Sequence, residues 1–280
     1  MQKQRILVLP NEKKDQGLAH TKRLLALLGG RAEVFVPPEI ARQLGAAAIS
    51  RDMLSKIHLA ITLGGDGTII SRARMLLGYE IPLLGVNLGR LGYLAQVEPD
   101  ALAQAVEHVI AGRYSVEHRI LLEGQVWTEQ GRVKSPFTAF NEALIHRSTA
   151  SKLLRIRVGL NGGYFERFLA DGILVATPTG STAYNLSAGG PFVQPTAKNL
   201  VVTAVCPHSV AARSIVTAEG DDVQLTVEMG EGQQAPVLVI DGAPHCQLCP
   251  GDCVQARRSR QQLEIVRLPG QEPAQSKLFQ

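Results

Sequence analysis

From Arg5 to Ile110 the apolar positions come in two alternating patterns, short unbroken runs and runs spaced three and four apart. Arg5 to Leu9 reads as a buried strand. Leu18 to Leu28 reads as a helix, which Gly29-Gly30 ends because glycine accepts the left-handed backbone that closes a helix. Val34 to Val36, halted by Pro37-Pro38, predicts a second strand, and His58 to Leu63, running directly into Gly64-Gly65, a third. Ile69 to Leu77 predicts a helix, Ile81 to Val86 a strand, and Ala101 to Ile110 a helix stopped by Gly112. This repetition predicts a mostly parallel, Rossmann-like sheet covered on both faces.

After about Tyr114 the pattern changes. Leu121 to Thr128, Lys152 to Leu160, Ile173 to Ala176, Leu200 to Val205, Val223 to Glu228 and Val237 to Ile240 follow one another as strands with few helices between them. Asn161-Gly162-Gly163, Asp241-Gly242 and Pro250-Gly251-Asp252 supply the turns that an antiparallel sheet or sandwich requires. The fold class expected is therefore α/β: a parallel-sheet domain over 1–114 carrying the Gly64–Thr68 loop, then a β-rich, sandwich-like domain over 115–265.

Composition narrows the function. The 280 residues and 45% hydrophobic content suffice for two sizeable cores, and a net charge of +4 is too mild for a dedicated nucleic-acid or membrane-surface binder. Small molecules are the expected partners. Four cysteines, with Cys246, Cys249 and Cys253 bunched late, do not make a disulfide framework and fit a reducing compartment. The apolar run after Lys3 and Arg5 is too short for a signal-peptide core, and no run is long enough to span a bilayer. A cytoplasmic protein is the expectation.

Gly64-Gly65-Asp66-Gly67-Thr68 lies between a strand and a helix, where peptide N–H groups and the positive helix end converge to seat phosphate. It has neither the Lys-Ser or Lys-Thr close of a Walker loop nor the third glycine of a dinucleotide fingerprint. Asp66 is the informative residue, because a carboxylate in an anion-binding loop repels phosphate unless it takes a proton from an attacking hydroxyl or holds a divalent metal. The bland alternative is a tight turn with Asp66 as a helix cap.

A second segment, Thr177-Pro178-Thr179-Gly180-Ser181-Thr182-Ala183-Tyr184 through Pro191, follows the apolar strand after Asp171-Gly172 and is dense in small hydroxyls. Small residues let a flat ligand lie against backbone, hydroxyls bond phosphate or sugar oxygens, and Tyr184 adds a ring with a polar tip. A serine-rich surface loop is the alternative. Asn141-Glu142 sits between the apolar pieces Phe137 to Phe140 and Ala143 to Ile145, and a buried Glu142 needs a partner, either a ribose diol or an arginine.

Assembled, these segments resemble the NAD kinase family, which phosphorylates the adenosine ribose of NAD to give NADP. The resemblance covers the Asp66 loop, Asn87-Leu88-Gly89-Arg90-Leu91-Gly92-Tyr93-Leu94, Asn141-Glu142, and the run from Asp171 through Pro191. The loop is shared in form with phosphofructokinase-like and lipid kinases; the Thr177–Tyr184 segment is the specific one. The resemblance implies that Asp66 is the general base on the ribose 2′-hydroxyl, with Gly67 bringing backbone close to the dinucleotide. It further implies that Asn141 and Glu142 hold the adenosine portion, that Asp171 faces the nicotinamide end, that Thr182, Ala183, Tyr184 and Ser187 line the adenine and ribose surface, and that Lys152 falls near a nucleotide-contacting position. It also implies ATP or polyphosphate as phosphoryl donor, a divalent ion, usually Mg²⁺, with no protein metal ligand assigned, a homodimer or homotetramer, and an NAD site between the two domains. Two departures stand out: Leu169 replaces an arginine found in some relatives two residues before the Asp171 position, and the tail, 266–280, which in the family returns to the first domain, ends Ser276-Lys277-Leu278-Phe279-Gln280.

The remaining chemistry reads as bland. His245, Cys246, Cys249 and Cys253 have ligand-like spacing, but a turn interrupts the group and no second paired knuckle accompanies it, so thiols in a β hairpin are expected in place of zinc. His208 and Trp127 read as packing residues, and Arg257, Arg258 and Arg260 as an exposed hairpin. Arg72 and Arg74 serve either donor phosphate or a solvated helix face. Two rival functions stay open: a lipid kinase of the diacylglycerol or sphingosine type, indifferent to Thr177–Tyr184, and a non-catalytic NAD sensor, indifferent to Asp66.

Overall fold

The computed structural model describes residues 3–89, 92–148, 152–228 and 234–270, and the chain divides into two units, Met1–His118 with Leu263–Gln280, and Arg119–Gln262. The tail beyond 270 lies outside the described residues, as do parts of the Asn87–Leu94 segment at 90 and 91.

In the first unit β1 (Gln4–Pro10), α1 (Ala19–Leu28), β2 (Ala32–Val36), α2 (Pro38–Leu44), β3 (Ala47–Ala48), β4 (Leu59–Gly64), α3 (Asp66–Met75), β5 (Leu83–Asn87) and α4 (Leu102–Ile110) follow in chain order. The strands lie in the order β5-β4-β1-β2-β3, all parallel, and Ile265 from the end of the chain pairs in parallel with Leu83. One face packs Ile6, Val8, Ile61 and Leu84 against Leu24 and Leu28 of α1 and Leu102, Val106 and Val109 of α4. The alternate positions Leu7, Leu9, Ala60 and Leu83 are buried too, and Ile69 of α3 lies against Gly85 on that second face. This two-sided burial is why β4 is apolar without alternation.

Local signals account for the helix ends. Asp15, 1% exposed, accepts the amides of His20 and Thr21 and the Thr21 hydroxyl, satisfying donors that open α1. Pro38, read above as a strand stop, also opens the unpredicted helix α2, because a proline at the first helical position loses no needed N–H. Helix α3 begins at Asp66, three residues before the predicted start, since a first turn of Asp-Gly-Thr carries no apolar periodicity.

The second unit contains β6 (Ser115–Trp127), which enters from the first, then β7 (Val133–Ala139), β8 (Glu142–His146), β9 (Leu154–Leu160), β10 (Gly163–Ala170), β11 (Gly172–Ala176), α5 (Tyr184–Ser187), β12 (Val201–Val205), β13 (Ile215–Val216), β14 (Val223–Glu228), β15 (Val237–Ile240), β16 (Ala243–Gln247) and β17 (Cys253–Arg267), which ends in the first unit. One antiparallel sheet runs β10-β9-β14-β17 and a second runs β13-β12-β11-β8-β15-β16. Ile156, Val158, Leu225 and Val227 of the first meet Ile145, Ile173, Val175 and Leu238 of the second in a sandwich core. Leu144, Leu174, Ala176 and Val205 face the other way and pack with Ala188, so β11 is buried on both sides. The Asn161-Gly162 and Asp241-Gly242 turns are two-residue hairpins with both residues at positive φ, 53° and 82° in the first and 47° and 80° in the second.

Two expectations are corrected. Arg257, Arg258 and Arg260 sit within the long strand β17, whose paired strands β14, β6 and β5 are not its chain neighbours, so they mark no hairpin; Arg257 bonds Glu123 at 2.9 Å and Arg258 pairs with Glu219. His208 is exposed beside Phe165, Arg167 and Arg213 around a surface hollow, so it is no packing residue. Trp127 is half-buried and donates its indole N–H to Gln255.

Candidate active site

The glycine loop leaves β4 at the carboxyl edge of the parallel sheet, where the ends of β1, β4 and β5 lie side by side. Open parallel sheets bind ligands at this edge. Backbone bonds tie the three ends together: Asn11 donates to the Leu63 carbonyl and Leu88 to the Gly64 carbonyl, each at 2.9 Å. The Asn11 side-chain amide donates to the Thr68 hydroxyl, which fills the space where Gly64 would carry a Cβ. Asn87, buried, accepts from Gly89 N–H and donates to Glu98, anchoring the stretch after β5.

Asp66 is the first residue of α3 and not its cap, which is the extended Gly65. Its carboxylate reaches away from its own helix. Oδ2 accepts the Tyr93 amide at 2.6 Å, and Oδ1 accepts the Leu94 and Ala95 amides at 3.0 and 3.1 Å. Gly92 makes this possible, because a Cβ there would stand 2.3 Å from Oδ1. Gly67 follows, exposed, with nothing within 4 Å of its Cβ position, so backbone is open to a ligand.

Lys14 completes this corner and carries no motif that would have revealed it. Its ammonium lies 2.7 Å from the Cβ position of Gly65 and 3.3 Å from that of Gly89, a cation over two glycines at the amide-rich end of the sheet. Arg72, by contrast, donates to the Pro10 carbonyl and so holds α3 to β1. Arg74 is exposed on the same helix.

The second unit brings Asn141-Glu142 and the hydroxyl-rich segment together. Thr177 donates its amide to the Asn141 carbonyl at 2.8 Å and its hydroxyl to the Phe140 carbonyl at 2.6 Å. Gly180 packs so closely that a Cβ would stand 2.1 Å from the Asn141 carbonyl oxygen. Many hydroxyls in the segment are spent internally: Ser181 bonds Pro178 and Val193, and Thr182 bonds Thr179. Asn185, fully buried, links Ser181, Pro191 and Thr203. This lattice fixes the backbone and leaves Tyr184 38% exposed, with Thr182 and Ala183 half-buried and Ser187 open.

Glu142, 7% exposed, has an Oε2 atom with no hydrogen-bond partner. Burial first, then the negative charge of Asp241, pushes its carboxyl up to about 7. Among the described residues no arginine bonds it. The Tyr184 phenol is raised by partial burial and by Cys206, Asp171 and Glu142, so the tyrosine feels both acids. Glu142 pairs with Ala176 at one end of β11 and Asp171 precedes Gly172 at the other, about 16 Å apart at ~3.3 Å per strand residue. Asp171 accepts from Arg147 Nε at 2.6 Å, so the counter-charge expected two residues upstream, where Leu169 stands, comes from the neighbouring strand end. Lys152 is exposed just before β9.

Among the described residues no three of His, Cys, Asp and Glu are grouped to hold a metal. His245 bonds Ser135 and stacks edge-on with Phe137, and the four thiols are free.

Two solved structures share this architecture. The yeast NADH kinase complexed with NADH matches 95% of this chain and 84% of its own with a TM-score of 0.83 at 24% identity. An NAD kinase from Archaeoglobus fulgidus in complex with ATP matches 98% and 97% with a TM-score of 0.73 at 22% identity. The fold class is that of the NAD(H) kinases. In sequence, 15–114 match the ATP-NAD kinase N-terminal domain and 140–268 the ATP-NAD kinase C-terminal domain. Relatives named NAD kinase are similarly close: that of Lachnoclostridium phytofermentans is 34% identical over 94% of this chain and 93% of its own, and that of Syntrophotalea carbinolica 38% identical over 88% and 86%. The chain belongs to the NAD kinase family and is a phosphotransferase, as the Asp66 loop and the Thr177–Tyr184 segment implied.

Proposed function

We propose that this chain transfers the terminal phosphoryl group of ATP to the 2′-hydroxyl of the adenosine ribose of NAD. The observation that carries this reading is that one unit holds an amide-bound carboxylate, Asp66, in a glycine loop at the sheet edge, and the other holds a buried carboxyl, Glu142, whose Oε2 has no partner, beside a hydroxyl-rich, aromatic-lined segment. A secondary alcohol is a poor nucleophile until its proton has an acceptor within hydrogen-bond reach, and Asp66 is that acceptor. Gly67 offers open backbone to the dinucleotide. Glu142 accepts from a ribose diol, with Asn141 beside it on the adenosine side; Asp171 serves the nicotinamide end; Thr182, Ala183, Tyr184 and Ser187 line the base and sugar; and Lys152 contacts the nucleotide from outside. The span of β11 between Glu142 and Asp171 suits an extended two-nucleotide ligand.

Mg²⁺ fits this chain as an ion carried on donor phosphates, because Mg²⁺ needs few protein ligands when phosphates supply the rest. When bound it neutralises charge on the transferring group. The ATP-NAD kinase family description and the ATP bound in the Archaeoglobus fulgidus structure support ATP as donor. A homodimer or homotetramer accords with Tyr164, Phe165, Leu169, Val210 and Val216, large apolar side chains of the second unit left exposed. No helix among the described residues is long and apolar enough to cross a membrane, and the free thiols accord with a cytoplasmic location.

The direct test mixes purified protein with NAD, ATP and Mg²⁺ and follows NADP with a dehydrogenase specific for it. NADP accumulates. Transfer only to diacylglycerol or a sphingoid base, or NAD binding with no turnover from any donor, overturns the reading in favour of a lipid kinase or a sensor respectively. Lys14→Ala separates the donor side: KM for ATP rises about tenfold or more while KM for NAD moves less than about twofold, as expected for loss of one charge-assisted phosphate contact. Equal changes in both constants, or none, would remove Lys14 from the donor site.

A further inference from the structure

Phe140, Asn141 and Glu142 stand where an irregular segment becomes β8, so their amides precede or only begin the strand ladder and need acceptors of their own. One side chain, about a hundred residues away, supplies them. The Asp241 carboxylate accepts Phe140 N–H with both oxygens, at 2.9 and 3.1 Å, Asn141 N–H at 2.7 Å and Glu142 N–H at 3.2 Å. The Asp241 amide in turn donates to the Glu142 carbonyl at 3.1 Å. The opposite edge of the same three residues is held by Thr177, which takes the Phe140 and Asn141 carbonyls. Asp241 therefore holds all three amides and the Glu142 carbonyl, while Thr177 of the hydroxyl-rich segment holds the Phe140 and Asn141 carbonyls.

We propose that Asp241 is a positioning residue for the nucleotide: by gathering these three amides it sets the direction in which the Asn141 and Glu142 side chains enter the NAD site. The inference rests on the assignment of Asn141 and Glu142 to NAD made above. A carboxylate is suited to the task because it is acceptor-only, with about four lone-pair sites, whereas asparagine has a single acceptor oxygen and turns an NH₂ toward donors. The hairpin does not explain the residue. At φ 47° in a two-residue turn, asparagine is tolerated at least as well as aspartate, so the turn alone does not call for a carboxylate. The charge has a second effect. Among the described residues, Asp241 and Tyr184 are the titratable groups facing Glu142, Asp241 from the β15–β16 turn and Tyr184 from the segment after β11, with Asp171 and Cys206 acting on Tyr184 in turn. Asp241 thus disfavours ionisation of the very carboxyl that a ribose diol favours ionised.

The experiment compares KM for NAD, KM for ATP and the pH dependence of kcat/KM for NAD in the parent, Asp241→Asn, Asp241→Glu and Glu142→Gln proteins. Asp241→Asn raises KM for NAD about tenfold or more and leaves KM for ATP within about twofold, since the lost bonds touch only the nucleotide corner. Its pH inflection, near 7 in the parent, moves lower because a negative neighbour is gone. Asp241→Glu keeps the charge and misplaces it by one methylene, so KM for NAD rises while the inflection moves less than in Asp241→Asn; this variant decides the matter if the asparagine form does not fold. An unchanged KM for NAD in whichever variant folds, or parallel rises in both KM values with an unmoved inflection, overturns the inference. Glu142→Gln separates it from the reading beneath: an unchanged KM for NAD there sinks the assignment of Glu142 itself, whereas a rise there without one at Asp241 sinks only the positioning role.

Discussion

Replacing Asp66 by asparagine lowers NADP formation by about 10³-fold or more, at the upper end of what removing a positioned general base costs. The bonding of this carboxylate explains why the loss is steep. Of the roughly four lone-pair sites a carboxylate offers, three already accept the Tyr93, Leu94 and Ala95 amides, two on Oδ1 and one on Oδ2. The free capacity lies on Oδ2, which on the proposed reading is the oxygen that takes the 2′-hydroxyl proton. Asparagine either keeps its carbonyl on the amides and presents an NH₂ to the alcohol, or the reverse, and neither arrangement accepts the proton. The same geometry predicts a structural side effect: one of the three amides loses its acceptor and stability falls by about 1–3 kcal/mol. Turnover, calorimetric NAD affinity and thermal unfolding measured on one preparation separate the two effects. Turnover within tenfold of the parent would sink the assignment, whereas a lower melting temperature with NAD affinity largely kept and turnover abolished supports it.

The second large effect comes from Glu142→Gln and has opposite signs for stability and binding. Burial and Asp241 raise the Glu142 carboxyl to about 7, so the ligand-free fold prefers it protonated. A carboxyl whose folded value lies above its unfolded one contributes stability at low pH, loses it as pH rises from the ordinary carboxylate range toward 7, and levels off above. Glutamine carries no charge at any pH. The variant is therefore more stable than the parent near pH 8, by on the order of 3 kcal/mol, and indistinguishable from it near pH 4. Binding moves the other way, because an amide offers one acceptor oxygen to a diol that can donate twice: KM for NAD rises about tenfold or more, and the inflection in kcat/KM near neutrality disappears. Denaturant unfolding at both pH values checks the first statement and the pH–rate profile the second. A variant less stable than the parent at high pH would mean that Glu142 is ionised and partnered in the fold.

How far the fold was legible follows from these residues. The strands Val223–Glu228 and Val237–Ile240 were read to the residue, because alternation against a sandwich core and the Asp241-Gly242 turn are local signals. Strand β10, with six of its eight residues solvent-exposed, has no unbroken apolar run, and went unread for that reason. Helix α2 hid behind two prolines, and the arginines of β17 looked like an exposed hairpin because their strand exposes a charged edge to Glu123 and Glu219. In the site, Asp66 and Glu142 stood out as carboxyls in apolar or glycine-rich surroundings. Lys14, Arg147 and Asp241 did not. A lysine in a charged loop, an arginine after a strand and an aspartate in an Asp-Gly turn are each ordinary by themselves.

What the sequence determined alone is therefore the inventory: two units, the family, the glycine loop after β4 and the two carboxyls proposed for the site, all written in local stretches of chain. What the tertiary structure decided is where each charge is spent. Asp66 is held by amides nearly thirty residues away, Asp171 is paired from the adjoining strand, and Asn141-Glu142 is clamped by Asp241 from about a hundred residues along the chain. Hydrogen bonds act over about 3 Å of space whatever the separation along the chain, and only folding brings such donors and acceptors within that distance.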